Sequence, residues 1–469
     1  MATFSIENFG CRATDADASA LRNGFLRQGL TAVPDDRAAD LVVINTCTVT
    51  AAADSQTREA VRKIHRANPA ARIVLTGCYA QRAPQELAQL EGVCWVIGNS
   101  HQSEIPSMLS ETLSPGPLSG SGGSDFVPLM NLSGGSLSLA RGPAKILTGD
   151  IFAGMPAIGI ATTPRANLEG DRTRPILKIQ DGCNHRCSYC VIPFVRGRSR
   201  SMQPGEVIDE VRSLTDAGAR EIVLSGINLG AYGQDLLPRA DLGSLVRRIL
   251  GETALERLRF SSIEPADVTE DFISLAASSD RIAPHFHIPL QSGSDRILRS
   301  MHRWYRARHY AERLQLIRRV IPSAAIGADV IVGFPGETEE DFQVTEDLIE
   351  QLPFTYLHVF SFSERPGTKA EKLENRVPQE AIRDRARKLR ARSLTKAGAF
   401  RASQAGRSMP ALTLARTGGS LNESWTEALT GNYLKVRIAG HLPANGWYEV
   451  RPTADPLAAL PARGFSVKR

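Results

Sequence analysis

Residues 183 to 190 read Cys183-Asn-His-Arg-Cys187-Ser-Tyr-Cys190, a C-x3-C-x2-C loop that limits what the chain around it can be. A [4Fe–4S] cube has four iron corners that favour thiolate ligands, so three cysteines in one short loop leave one iron open to a further ligand. A zinc knuckle is the competing use of such a loop, and it wants a fourth ligand in tetrahedral array. His185 is the nearby candidate, but it lies between the ligands, where its ring is poorly aimed. Ile176-Leu-Lys-Ile179 before the loop reads as a buried strand, and Asp181-Gly182 as the sharp turn that ends it.

The remaining cysteines extend the argument. There are seven in all, an odd set in a chain whose first residues lack the basic start and apolar core of a secretory signal, which favours metal ligation over a disulfide framework. No run approaches the roughly 18 apolar residues of a membrane span, so a cytoplasmic protein with no membrane contact is expected. The first hundred residues alternate strands (Phe4-Ser-Ile6, Leu41-Val-Val-Ile44, Ile73-Val-Leu75, Trp95-Val-Ile97) with helices (15–29, 54–67, 84–91), the pattern of a parallel α/β sheet. Cys11, Cys47 and Cys78 each fall just past one of the first three strands. Strand carboxyl ends share one edge of a parallel sheet, so the three thiols converge there, as a second [4Fe–4S] site would require, with Gly10 and Gly77 letting the backbone come close. Inert buried cysteines are the alternative. Cys94, on a strand, reads as core.

At 469 residues and 42 % hydrophobic, the chain has room for two or three domains. Residues 1–109 form the first. Residues 110–168 hold Leu118-Ser-Gly-Ser-Gly-Gly-Ser124 and Leu132-Ser-Gly-Gly-Ser136 and read as an insertion or linker, with apolar patches at Phe126-Val127, Leu129-Met130 and Ile151-Phe152 able to dock on a neighbour. Residues 169–400 carry six strand and helix units, too few for a closed eight-unit barrel, which predicts a partial (β/α)6 barrel open on one side. Residues 401–455 show short alternating runs with glycine turns, a small OB-like β-barrel of about five strands. The proline-rich tail, 456–469, is expected to lack structure. The net charge of +6 permits a polyanionic partner. The basic excess is densest between 380 and 407, where nine arginines and lysines face Glu380 and Asp384; such a run is either a solvated helix face or a nucleic-acid surface.

Several strings resemble the radical S-adenosylmethionine (SAM) methylthiotransferases: Asn45-Thr-Cys47-Thr-Val-Thr50, Gly77-Cys-Tyr-Ala-Gln81, Cys190-Val-Ile-Pro-Phe194, Ser261-Ser-Ile-Glu-Pro265, His285-Phe-His-Ile-Pro-Leu-Gln-Ser-Gly293 and Asp329-Val-Ile-Val-Gly-Phe-Pro-Gly-Glu-Thr338. The resemblance runs from an N-terminal methylthiotransferase domain through a radical-SAM barrel to a C-terminal TRAM domain. It looks closest to the enzymes that act on N6-threonylcarbamoyladenosine at position 37 of transfer RNA. Sister enzymes modify isopentenyladenosine 37 or a ribosomal-protein aspartate, and an iron–sulfur redox or sensor protein that binds RNA is a reading from another class.

The resemblance implies two [4Fe–4S] clusters and SAM as cofactors. The cluster on Cys183, Cys187 and Cys190 would bind SAM and yield a 5′-deoxyadenosyl radical that takes hydrogen from C2 of the adenine; the cluster on Cys11, Cys47 and Cys78 would carry the sulfur that C2 receives. Tyr189 would lie beside the adenine of SAM or be a core aromatic. Ser225, Gly226 and Asn228 would meet the methionine amine or form a plain turn. Gln291, followed by Ser292 and Gly293, would be a polar pocket group, with Asp329 unassigned. Arg196, Arg198 and Arg200 would hold a phosphate or the SAM carboxylate, or be ion-paired. The family usually shows an asparagine and a glutamine soon after the first cysteine; this chain has Cys11-Arg-Ala-Thr14-Asp15, so the surroundings of that cluster differ. The partners implied are the tRNA anticodon stem-loop, its base splayed out to react, and a low-potential electron donor of flavodoxin or ferredoxin type.

Overall fold

The computed structural model describes residues 2–113, 144–152, 173–419, 424–461 and 463–464. The chain opens with strands β1 (Thr3–Asn8), β2 (Thr31–Ala32), β3 (Leu41–Thr46), β4 (Arg72–Gly77), β5 (Val93–Gly98) and β6 (Lys145–Leu147), all parallel in the order β2-β1-β3-β4-β5-β6. Every residue of β3 is buried, as a strand covered on both faces must be. The cover is α1 (Arg12–Arg27), α2 (Ala51–Ala67), α3 (Cys78–Arg82), α4 (Pro84–Ala88) and α5 (Ile105–Leu113). Helix α2 starts where the Thr50 hydroxyl accepts the Ala53 N–H, and it buries Asp54, Thr57, Val61 and Ile64, spaced by three or four along one face.

Strand β6 is an addition to the sequence reading. It comes from within the expected linker and seals the sheet edge with buried Ile146 and Leu147. Of the apolar patches anticipated there, Phe126-Val127 and Leu129-Met130 lie outside the described residues, whereas Ile151 is buried and its carbonyl oxygen sits where a Cβ on Gly197 would meet it at 2.5 Å.

The six strand and helix units follow. Strands β7 (Ile176–Asp181), β8 (Arg200–Ser201), β9 (Glu221–Gly226) and β10 (Arg257–Phe260) lie in the order β10-β9-β7-β8, only β8 being antiparallel; β11 (His285–His287), β12 (Ala325–Val332) and β13 (Tyr356–Ser361) form a parallel trio. Single bridges Leu258–Ile282 and Ser262–His287 join the two groups into one curved wall. Among the described residues β13 pairs with neither β7 nor β8, so the barrel is partial. Its outer helices are α6 (Ile192–Arg196), α7 (Pro204–Asp216), α8 (Leu242–Glu252), α9 (Glu270–Ala277), α10 (Asp295–Ser300), α11 (Ala307–Val320), α12 (Glu339–Gln351) and α13 (Gln379–Gln404).

The C-terminal unit is a curled sheet: β14 (Met409–Gly418), β15 (Trp425–Thr430), β16 (Lys435–Ala439), β17 (Trp447–Val450), β18 (Ala459–Leu460) and β19 (Arg463–Gly464), ordered β18-β16-β15-β14-β17-β19. The tail beyond 455, expected to lack structure, instead supplies a short strand to each edge. The physical reason is Leu460, whose side chain enters the core with Val436, Ile438 and Val450 and anchors that stretch. The sheet is tied to the barrel by Arg257 and Arg259, which donate to the carbonyls of Leu429, Thr430 and Gly431 at 2.9–3.1 Å, and by Tyr433, stacked on His285 with centroids 4.2 Å apart. No helix among the described residues is long and apolar enough to cross a membrane.

Candidate metal centres

The sheet edge delivers the first trio as the strand pattern predicts. Cys11 lies three residues past β1, while Cys47 and Cys78 follow β3 and β4 directly. Cys11 is exposed and the other two are buried. Gly10, at φ +132°, is needed for the convergence, since a Cβ there would lie 2.7 Å from the Cβ of Cys47. Gly77, at φ +97°, would drive a Cβ to 2.4 Å from the Thr46 carbonyl oxygen. The Cys78 sulfur accepts from Arg196 Nε at 3.2 Å and Asn99 Nδ2 at 3.6 Å, and the Cys47 sulfur from the Val49 N–H at 3.5 Å. Burial pushes the Cys47 thiol up to about 12, and the nearby Cys78 and Cys11 push the same way. Burial raises Cys78 as well. Thiols raised as Cys47 and Cys78 are keep their protons until a metal displaces them, so these two are unreactive as free thiols.

The second trio sits in a clamped loop. Gly182, at φ +70°, makes the turn off β7, and a Cβ on it would meet the Arg198 carbonyl oxygen at 2.0 Å. Cys183 N–H donates to Gly197 O at 3.1 Å, Ser188 N–H to Met301 O at 3.0 Å, and Ala370 N–H to Ser188 O at 2.8 Å. The Cys187 sulfur accepts from Arg303 Nη1 at 3.3 Å, and the Cys183 sulfur from the His185 N–H at 3.4 Å. Burial, chiefly, raises Cys183 to about 11 and Cys190 to about 12.

Neither trio is gathered as closely as a tetrahedral zinc site requires. Tetrahedral zinc with bonds of about 2.3 Å holds its sulfurs about 3.8 Å apart. Among the described residues, the one set of three His, Cys, Asp or Glu ligand atoms lying mutually within 4.8 Å contains no cysteine. His185, the fourth zinc ligand that sequence allows, instead turns its ring toward Trp304, with centroids 5.8 Å apart.

The two trios are neighbours. Cys78 packs against Val191, the residue after Cys190, and against Val195. Around that contact lies a buried ionic lattice: Arg196 pairs with Asp17 of α1 at 2.8 Å and with Asp181 at 3.1 Å, Lys178 pairs with both carboxylates, and Arg200 joins Asp181 at 3.0 Å. Three cationic partners hold the Asp181 carboxyl well below the usual range despite its burial. Arg196 and Arg200 are therefore ion-paired, one of the two roles sequence left open. Arg198 is exposed and, among the described residues, has no ion pair.

The remaining sequence candidates separate. Ser225 and Asn228 are buried at the end of β9; Asn228 N–H donates to Gln180 Oε1 at 2.8 Å, which also lies 2.9 Å from a Cβ built on Gly226. Asn228 Oδ1 and Ser261 Oγ, after β9 and β10, are buried without a hydrogen-bond partner among the described residues, which is what a cradle for a polar ligand leaves open. Gln291 adopts φ +63° and donates its N–H to the Asp329 carbonyl at 2.8 Å. Ser292 and Gly293 pack on α12, where a Cβ on Gly293 would strike Thr345 Cα at 2.6 Å. Tyr189, partly buried, packs beside Ile297, Met301 and Phe334. Sequence reasoning missed Arg303, Asp17, Lys178 and Asn99. Only Arg303 had a visible signal, the dense basic and aromatic run His302-Arg-Trp-Tyr305.

Residues 177–349 match the radical SAM superfamily, and residues 3–98 match an uncharacterized protein family, UPF0004. The threonylcarbamoyladenosine tRNA methylthiotransferase MtaB of Aquifex aeolicus (strain VF5) is 36 % identical over 437 residues, 93 % of this chain and 97 % of its own. The Bacillus subtilis (strain 168) protein of that name is 33 % identical over 94 % and 91 %. A tRNA-2-methylthio-N(6)-dimethylallyladenosine synthase of Corynebacterium glutamicum (strain R) is 32 % identical over 82 % and 69 %. Among solved structures, the radical S-adenosylmethionine methyltransferase TsrM from Kitasatospora setae, with cobalamin and a [4Fe–4S] cluster bound, aligns at a TM-score of 0.54 and 18 % identity over 79 % of this chain and 77 % of that one, a likeness of fold alone. With two adjacent cysteine trios and relatives matched along nearly the whole of both chains, this chain belongs to the radical-SAM methylthiotransferases, which use SAM and two [4Fe–4S] clusters.

Proposed function

We propose that the protein adds a methylthio group to C2 of N6-threonylcarbamoyladenosine at position 37 of transfer RNA, taking the nucleoside from a splayed anticodon loop in the cytoplasm. The observation that carries the reading is the contact between Cys78 of one trio and Val191 beside the other, which sets the two centres side by side, as transfer of sulfur to a carbon activated at the other centre needs. Two relatives matched over more than nine-tenths of both chains bear the threonylcarbamoyladenosine name.

When bound, SAM and the clusters supply a 5′-deoxyadenosyl radical at one centre and sulfur at the other. The chain's own part is placement. Cys183, Cys187 and Cys190 hold the SAM-binding cluster, and Cys11, Cys47 and Cys78 the sulfur-bearing one. Asn228 Oδ1 and Ser261 Oγ, buried and unpaired among the described residues, take polar groups of SAM, with Ser225, Gly226, Gln291 and the exposed Arg198 as further contacts. Tyr189 closes the wall beside the cluster loop. Arg196 and Arg303 each donate to one ligand sulfur, Cys78 and Cys187, and so steady the negative charge there. A flavodoxin- or ferredoxin-type donor supplies the electron.

Two measurements test this. Cys47→Ala should still cleave SAM but insert no sulfur, whereas Cys187→Ala should lose both activities; sulfur delivery by Cys47→Ala would end the carrier role. Nucleosides from a strain lacking the gene should be missing 2-methylthio-N6-threonylcarbamoyladenosine. Loss of the isopentenyl nucleoside or of a modified ribosomal aspartate would move the protein to a sister activity, and reconstituted protein unable to cleave SAM under reduction would favour an iron–sulfur sensor.

A further inference from the structure

The barrel wall carries a second ligand set that neither cysteine trio uses. His287 ends β11, Asp329 lies in the middle of β12, and His358 lies opposite Asp329 in register on β13. The three strands are adjacent and parallel, so the side chains meet on one face. Asp329 Oδ1 is 3.0 Å from His287 Nε2 and 3.3 Å from His358 Nδ1, and all three ligand atoms lie within 4.8 Å of one another. Ligands at right angles on an octahedral ion, each about 2.1 Å from it, stand about 3.0 Å apart. The same distances serve as hydrogen bonds when protons occupy that place.

Two imidazoles and one carboxylate on one face, with the rest open, are the donor set of a facial triad. The surroundings support it. The Tyr356 hydroxyl lies 3.0 Å from His287 Nδ1 and 2.8 Å from His285 Nε2. With the Nε2 lone pair of His287 on an ion, its Nδ1–H donates to Tyr356, which donates in turn to His285; the ring is fixed from behind as metal-binding histidines generally are. The His358 side chain is 54 % exposed, so the far side of the site faces open space and leaves coordination positions for oxygen ligands.

We infer that His287, Asp329 and His358 form a binding site for one divalent first-row transition-metal ion, independent of both iron–sulfur clusters and of the identity of the substrate. Imidazole donors select such an ion over magnesium or calcium. The enzyme loaded with both clusters in their oxidised, diamagnetic state is titrated with Mn²⁺, and the free ion is followed by its six-line EPR signal. One Mn²⁺ per chain should be taken up and then displaced by Zn²⁺, which binds such ligands more tightly. Uptake should weaken at least about tenfold in His358→Gln and in Asp329→Asn. His358 is half-exposed, so His358→Gln is the variant expected to keep its fold, verified by unchanged iron content and melting temperature. Failure of the wild-type protein to take up Mn²⁺, or equal uptake by wild type and His358→Gln, would overturn the assignment.

Discussion

Arg303 and Arg196 each aim a guanidinium N–H at a cysteine sulfur, one per trio, at 3.3 and 3.2 Å. Hydrogen bonds to ligand sulfur stabilise the more negative, reduced cluster and so raise its potential. Arg303→Gln is therefore expected to lower the potential of the SAM-binding cluster, so that a donor of fixed potential reduces less of it, at unchanged iron content; an unshifted potential in an EPR titration would remove Arg303 from that role. Titration of the thiols gives a second test. Burial holds Cys47 and Cys190 at about 12 and Cys183 at about 11, against about 8.5 for an unfolded cysteine. A pKa raised by folding adds stability in full below the unfolded value and loses it as pH rises through the folded one. Cluster-free protein should thus lose stability progressively from about pH 8.5 upward, whereas cluster-loaded protein, its thiols already deprotonated by metal, should not lose it through these groups. Melting temperatures of both forms on either side of that onset decide it, and parallel curves would refute the argument.

At the scale of elements, the turns after β1 and β4 decide whether three distant thiols become one site. Gly10→Ala forces a side chain into Cys47 from a backbone angle that L residues rarely adopt. It should strip the first cluster while sparing the second, so iron falls from about eight to about four per chain with SAM cleavage retained; full iron occupancy would show that the loop can yield. This part of the site was legible because strand periodicity and cysteine position are both local signals. Its ionic lattice was not. Asp17 and Arg196 are 179 residues apart, and in sequence each looks like any surface charge. The basic stretch of α13 illustrates the same limit. Arg385 is buried against Glu337 and Glu339, Lys396 donates to the carbonyls of Glu350 and Leu352, and Arg401 donates to those of Lys435 and Thr453. Charge density alone cannot tell a residue that faces solvent from one that ties down a neighbouring element. The tail failed for a related reason, since one buried leucine outweighed its prolines.

Over the whole molecule, the three units are locked by buried polar contacts as well as by apolar packing. Asp54 of the first sheet's α2 takes Arg365 from the barrel at 2.6 Å and Arg82 at 3.0 Å, and Arg257 and Arg259 reach into the C-terminal sheet. A large substrate therefore meets a preset surface, and what remains outward on α13 is the narrower set Arg383, Arg387, Lys388 and Arg390, all exposed. Arg392 is exposed too but is tied to Glu346 and Glu350 of α12, whereas Arg387 pairs only with Asp384 of its own helix. If the anticodon arm lies along this face, each phosphate neutralised there releases counterions, and the logarithm of affinity falls with the logarithm of salt by somewhat under one unit per contact. The combined variant Arg383→Gln, Arg387→Gln, Arg390→Gln should weaken transfer-RNA binding at low salt and flatten that slope by about two units, while SAM cleavage without RNA proceeds as before. Arg392→Gln alone should leave the slope where it was. An unchanged slope in the combined variant would place the RNA on another face, whatever reaction the two clusters perform.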